Sequence, residues 1–108
     1  MLEKPTLRVQ YKTLLAAGPD PGLLELCRDA AYSADLLLRH VDIPALWNKT
    51  CRFSAAAIVL RLRTYLLDGV GFEALAREAG AALILVGDHI TAADLESMVL
   101  IATSKRAA

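Results

Sequence analysis

Residues 80–95 read GAALILVGDHITAADL, and from Ala81 to Val86 no side chain is polar. A segment with no wet side must be covered on more than one flank, which restricts the folds open to the chain. Taken with FEALAREAG before it, the run predicts a helix over 72–86: Phe72, Leu75, Ala76, Ala79, Leu83 and Val86 share one side, and Glu73 stands four before Arg77 on the other. The six residues also suit a buried strand. A strand needs neighbours for its backbone N–H and C=O groups, and nothing else in the sequence reads as one, so the helix is preferred.

Composition sharpens the question of cover. Hydrophobic residues make up 56% of the 108 before the six glycines are added, whereas globular chains reach roughly 45–50% with glycine included. The length suits one domain, expected to span residues 1–108, and the apolar surplus points to surface shared with a partner. Twelve basic and twelve acidic residues leave a formal net charge of zero, which argues against a non-specific binder of phosphate backbones. The two cysteines, Cys27 and Cys51, come without a secretory leader and are read as thiols, and no apolar run reaches the roughly 18 residues of a membrane span. The expected location is the cytoplasm, or the nucleus of a eukaryote.

The remaining elements also read as helices. Leu7, Tyr11, Leu14 and Leu15 share a face over about residues 6–17, ahead of Gly18 and the PDP break. Asp20 is a good N-cap and Pro21 a good first-turn residue. A three-four repeat from Leu23 through Cys27, Ala30, Ala34, Leu37 and Leu38 to Val41 then predicts five turns, with Asp35 four before Arg39 on the wet side. A short helix is expected over Pro44–Lys49 and another after Ser54, with Ile58, Leu62, Tyr65 and Leu66 on its apolar face; DGVG at 68–71 either ends it or weakens one long helix. Thr91 and Asp94 have capping spacing ahead of a last helix carrying Leu95, Met98, Val99 and Ala102.

Chemistry-bearing patterns are sparse. His40 closes the second predicted helix, and His89 follows Asp88 directly, a spacing that does not set a carboxylate behind a ring. Cys27, His40, Cys51 and His89 lack the close pair spacing of a structural zinc site. There is no glycine-rich phosphate cradle, paired-histidine zinc motif or nucleophile elbow. No residue is assigned to catalysis, a cofactor or a metal.

One stretch resembles a known family. From Ser54 onward, a serine-capped helix, AREAG and then GDHITAADLESMV is similar to the second half of a histone-fold protein, with Ile90, Thr91, Asp94 and Leu95 matching that family's ITxxDL start of the final helix. The resemblance covers about residues 54–100 and implies a long central helix and an obligate handshake dimer. DGVG interrupts that central helix, and Gly87 and Asp88 stand where the family carries basic residues. Residues 71–83, GFEALAREAGAAL, also fit the first half of a helix-turn-helix, but ALILV follows where a polar recognition helix belongs.

The sequence therefore predicts an all-α fold: a compact bundle of five or six short-to-medium helices, histone-fold-like in its C-terminal half. The expected function is a protein-interaction or oligomerisation module without catalytic activity, binding a protein partner or a second copy through apolar helical surface over residues 72–86 and 95–102. Trp47, Tyr65, Phe72, Leu83, Leu85 and Met98 are the candidate contacts. The alternatives are a histone-fold-like subunit of a transcription or chromatin complex and a small helix-turn-helix regulator; for nucleic acid, which is not favoured, Arg52, Arg61 and Arg63 are the candidate contacts.

Overall fold

The computed structural model describes residues 12–18, 20–49 and 55–107. Its order is β1 (Thr13–Ala17), α1 (Pro21–Ser33), β2 (Leu37–Val41), α2 (Ile43–Lys49), β3 (Ala55–Arg61), α3 (Leu62–Tyr65), α4 (Gly69–Ala79), β4 (Ala82–Val86) and α5 (Ala92–Ala107). The four strands form one parallel sheet in the order β2-β1-β3-β4. The all-α expectation is thus overturned, and with it the helical bundle and the long central helix of a histone fold. The protein is an α/β fold.

Four of the predicted helices contain strands. Thr13–Ala17, expected at the end of a helix over 6–17, form β1; residues 6–11 of that helix lie outside the described residues. The five-turn helix stops at Ser33, where Asp35 takes a left-handed backbone (φ 61°) and Leu36 N–H donates to the Ala31 carbonyl at 2.8 Å, and the chain re-enters the sheet as β2. Aspartate tolerates that conformation better than most residues, so the helix ends without glycine or proline. The helix expected after Ser54 is β3 followed by the single turn of α3; Ser54 itself is outside the described residues. Gly80, at φ 69°, closes α4 as its left-handed C-cap, and Ala82–Val86 are strand β4.

The sheet is covered on both sides, which is why its central strands are apolar apart from Thr13 and Arg61 at their ends. Leu14, Ala16, Ala57, Val59, Ile84 and Val86 face α1 and α5, packing on Leu23, Cys27, Ala30, Leu95 and Val99. Leu15, Ala17, Ile58, Leu60, Leu83 and Leu85 face the other layer, with Leu46 of α2 and Phe72 and Ala76 of α4. A register shift opposite Thr13 and Leu14 skips Ala56 and turns Ala55 to the α4 face, against the alternation of Ala57 and Val59.

The helix faces follow the direction of travel. From β1 to β2 the chain steps one way with α1 on one face; from β2 to β3 and β3 to β4 it steps the other way with α2 and α4 on the opposite face. This is what right-handed crossovers require. After β4 the chain returns to the first face, where α5 packs beside α1.

Candidate functional site

Two places in such a sheet invite function: the carboxyl ends of the strands where the winding reverses, and the free edges. The reversal lies between β1 and β3, and a side-chain network fills it. Asp20, just after β1, caps α1: its Oδ1 accepts from Gly22 N–H at 2.9 Å and Leu23 N–H at 3.3 Å. Its Oδ2 accepts from Arg61 Nε at 2.8 Å, and Arg61 Nη1 donates to the Gly87 carbonyl at 2.7 Å. One guanidinium at the end of β3 therefore ties the ends of β1 and β4 together. Alongside, Arg63 Nη2 meets Asp88 Oδ1 at 2.8 Å with both groups largely in water, an arrangement of small net value. His40 Nε2 is hydrogen-bonded to the Gly18 carbonyl.

The Arg61 hydrogen bond, ahead of the backbone donors, holds the Asp20 carboxyl below its usual pKa. The folded value lies under the unfolded one, so this stabilisation is complete above pH about 4 and fades as pH falls through the folded value. Asp20→Asn keeps a competent cap but loses the charge pair. We expect it to be less stable than wild type at pH 7 by a few tenths to about 1 kcal/mol, since Asp20 is partly solvated, with the gap closing on titration to pH 2; urea unfolding across that range checks it. Cys27 offers no nucleophile, because burial pushes its thiol up to about 12. Among the described residues no group of three or more His, Cys, Asp or Glu side chains is placed to hold a metal ion.

The edges differ sharply. β2, at one side, reads LLRHV and carries Arg39 and the polar His40 on exposed positions; a charged residue such as Arg39 on an edge strand discourages pairing with another chain. β4, at the other side, reads ALILV and carries none. Its alternate N–H and C=O groups point away from β3, and a cleft flanks it on each face. The cleft towards α5 has a volume of about 470 Å³ and is lined by Leu83, Ile84, Leu85, Met98, Ile101 and neighbouring alanines. The one towards α4, about 330 Å³, is lined by Leu83, Leu85, Ala76 and Ala81 with Glu73 and Arg77 at its rim. Ile101 is 60% exposed.

The chain matches no family model, no curated protein and no solved structure. Its function has to be argued from these two places alone.

Of the candidate contacts, the structure brings Leu83, Leu85 and Met98 together at the β4 edge. Phe72 is elsewhere in kind: only 3% exposed, it belongs to the core and stacks on Trp47 with ring centroids 4.9 Å apart. Trp47, 41% exposed, lies over it. Tyr65 is half-buried, and its hydroxyl donates to Glu73, whose acceptance of that hydrogen bond, with burial and charge adding, raises the phenol pKa. Arg61 and Arg63 are each bound to a carboxylate; Arg52 lies outside the described residues. α4 is followed by a strand, so no second helix stands where a helix-turn-helix needs one. Ile101 was missed by the sequence reading although it sits one turn beyond Met98, within reach of a three-residue spacing. Among the described residues no helix is long and apolar enough to cross a membrane.

A further apolar group, Leu66, Leu67 and Val70, stands in solvent at the turn between α3 and α4.

Proposed function

We propose that the protein is an interaction module that takes a partner's β-strand onto the free edge of β4. The observation that carries this is the difference between the edges: β2 is marked by Arg39 and His40, whereas β4 is uncharged along all five residues and bordered by clefts on both faces. Strand addition draws affinity from main-chain hydrogen bonds and specificity from pockets that receive alternate side chains. β4 supplies both: open backbone groups along the edge, and apolar recesses above and below it for a partner's alternating residues. The binding surface is thus a sheet edge with its helical flanks, Met98 and Ile101 on α5 and Arg77 on α4, in place of a helical face.

A peptide tests this. At dilutions where the chain sediments as a monomer, the β4 amides that point away from β3 should exchange with deuterium at nearly unprotected rates. Adding a peptide with alternating apolar residues between lysines, such as KKALILVKK, should slow those amides selectively. If they are already slow in the dilute chain, or stay fast at saturating peptide, the edge is not a strand receptor.

A further inference from the structure

We infer that the strand received at this edge is β4 of a second copy of the chain, paired antiparallel about Ile84 so that two four-stranded sheets join into one of eight. The inference rests on the strand-addition reading above and adds the identity of the partner.

Self-pairing has a single register in which the five residues overlap fully: Ile84 opposite Ile84, Leu83 opposite Leu85 and Ala82 opposite Val86. A two-fold axis perpendicular to the sheet keeps each face on its own side. Ala82, Ile84 and Val86 belong to the α5 face, Leu83 and Leu85 to the α4 face. The joined α4 face then carries four leucines at the seam, with directly opposed pairs close enough to pack. On the α5 face the two clefts merge, and Met98 and Ile101 of each copy border the other's strand. The register works whichever alternate set of β4 amides points outward, because in antiparallel pairing either the central or the flanking opposed residues exchange the hydrogen bonds.

Charge agrees with this partner. The strand has no charge to bury, the chain has a formal net charge of zero, and the rim of the α4 cleft holds one acid and one base, Glu73 and Arg77, one helical turn apart. A two-fold axis sets α4 of the two copies antiparallel along the seam, which matches acid to base in both directions. An identical neighbour is complementary to such a rim, while a strongly charged partner is not.

Among the described residues the chain's own winding does not supply the missing neighbour. α5 lies on the α1 face, so a right-handed crossover from β4 over α5 leads back towards β1 and away from the free edge.

Sedimentation equilibrium of the full chain, combined with cysteine cross-linking, tests the inference. Wild type should be dimeric at micromolar concentration, and Leu83→Lys should raise its dissociation constant at least tenfold. In a Cys51→Ser background, Leu83→Cys and Leu85→Cys chains mixed together should form a disulfide-linked heterodimer faster than either alone, because the register opposes 83 to 85. This second readout needs no change of charge, so a misfolded lysine variant does not decide the matter. A wild-type monomer whose outward β4 amides exchange quickly overturns self-pairing and leaves strand addition standing. A monomer with those amides protected overturns both. A dimer without preferential 83–85 cross-linking overturns the pairing proposed here.

Discussion

Leu60→Ala is expected to cost about 2–5 kcal/mol of folding stability, while Leu67→Ala, seven residues on in the same LRLRTYLL stretch, should change it by no more than about 0.5 kcal/mol. Leu60 is 0% exposed near the end of β3, a strand with neighbours on both sides, and packs in the layer that holds Phe72 and Leu46. Removing its branched end leaves a cavity that a clamped central strand is poorly placed to close. Leu67 is 83% exposed in the turn before α4, with little apolar contact to lose. Chemical denaturation monitored by circular dichroism measures both. Equal costs would contradict the placement of residues 55–67, since a continuous helix there would set Leu60 and Leu67, seven residues apart, on one face.

That contrast also shows where the sequence is ambiguous. Strands in a covered parallel sheet are apolar on both faces, so TLLAA, AAAIVL and ALILV show no alternation. Runs this short cannot be told from buried helix by periodicity, and their alanines favour the helical reading. The repeat from Leu23 to Val41 is real as far as Ser33; Leu37, Leu38 and Val41 continue its spacing by coincidence, on the far side of a break made by Asp35.

The ambiguities are coupled. Ala82–Val86 lack an evident strand partner in the sequence because that partner, β3, carries the same helix-like pattern, and so does β1 beside it. Strand pairing lies between residues far apart in sequence, so one misread strand removes support from the next. Local N-terminal signals are plainer: Asp20 with Pro21 opens α1, and Thr91 Oγ1 accepts from Asp94 N–H at 3.1 Å at the start of α5, whereas Gly80, inside the helix expected over 72–86, closes α4. Caps depend on a few neighbouring residues, and those are visible.

Part of the proposed docking edge is legible for a related reason. Residues 81–86 demanded cover on more than one side, and this holds for a strand as well as for a helix. Leu83, Leu85 and Met98 are the large apolar groups around that run, and they line one cleft at a sheet edge and not along a helical face. The edge itself, with its unpaired backbone, becomes visible only once the strand order is known.

Phe72 separates packing from binding most clearly. As one of the large apolar side chains of residues 72–86 it was a natural candidate contact, but it fills the layer between β3, β4 and α2 and stacks under Trp47. Phe72→Ala is therefore expected to cost about 3–5 kcal/mol. Trp47→Ala should cost less, because that ring is already 41% exposed and gives up less burial. In a double-mutant cycle the two changes should show a coupling of about 0.5–1.5 kcal/mol, the range for aromatic pairs in contact. Urea unfolding followed by circular dichroism, which does not need the tryptophan, gives all three numbers. An interface role makes the opposite forecast: Phe72→Ala would leave the chain as stable as before and abolish association. Loss of stability with association retained in whatever fraction stays folded would place Phe72 beneath the binding surface, and would leave β4 and its flanks as the part of the molecule that meets a partner.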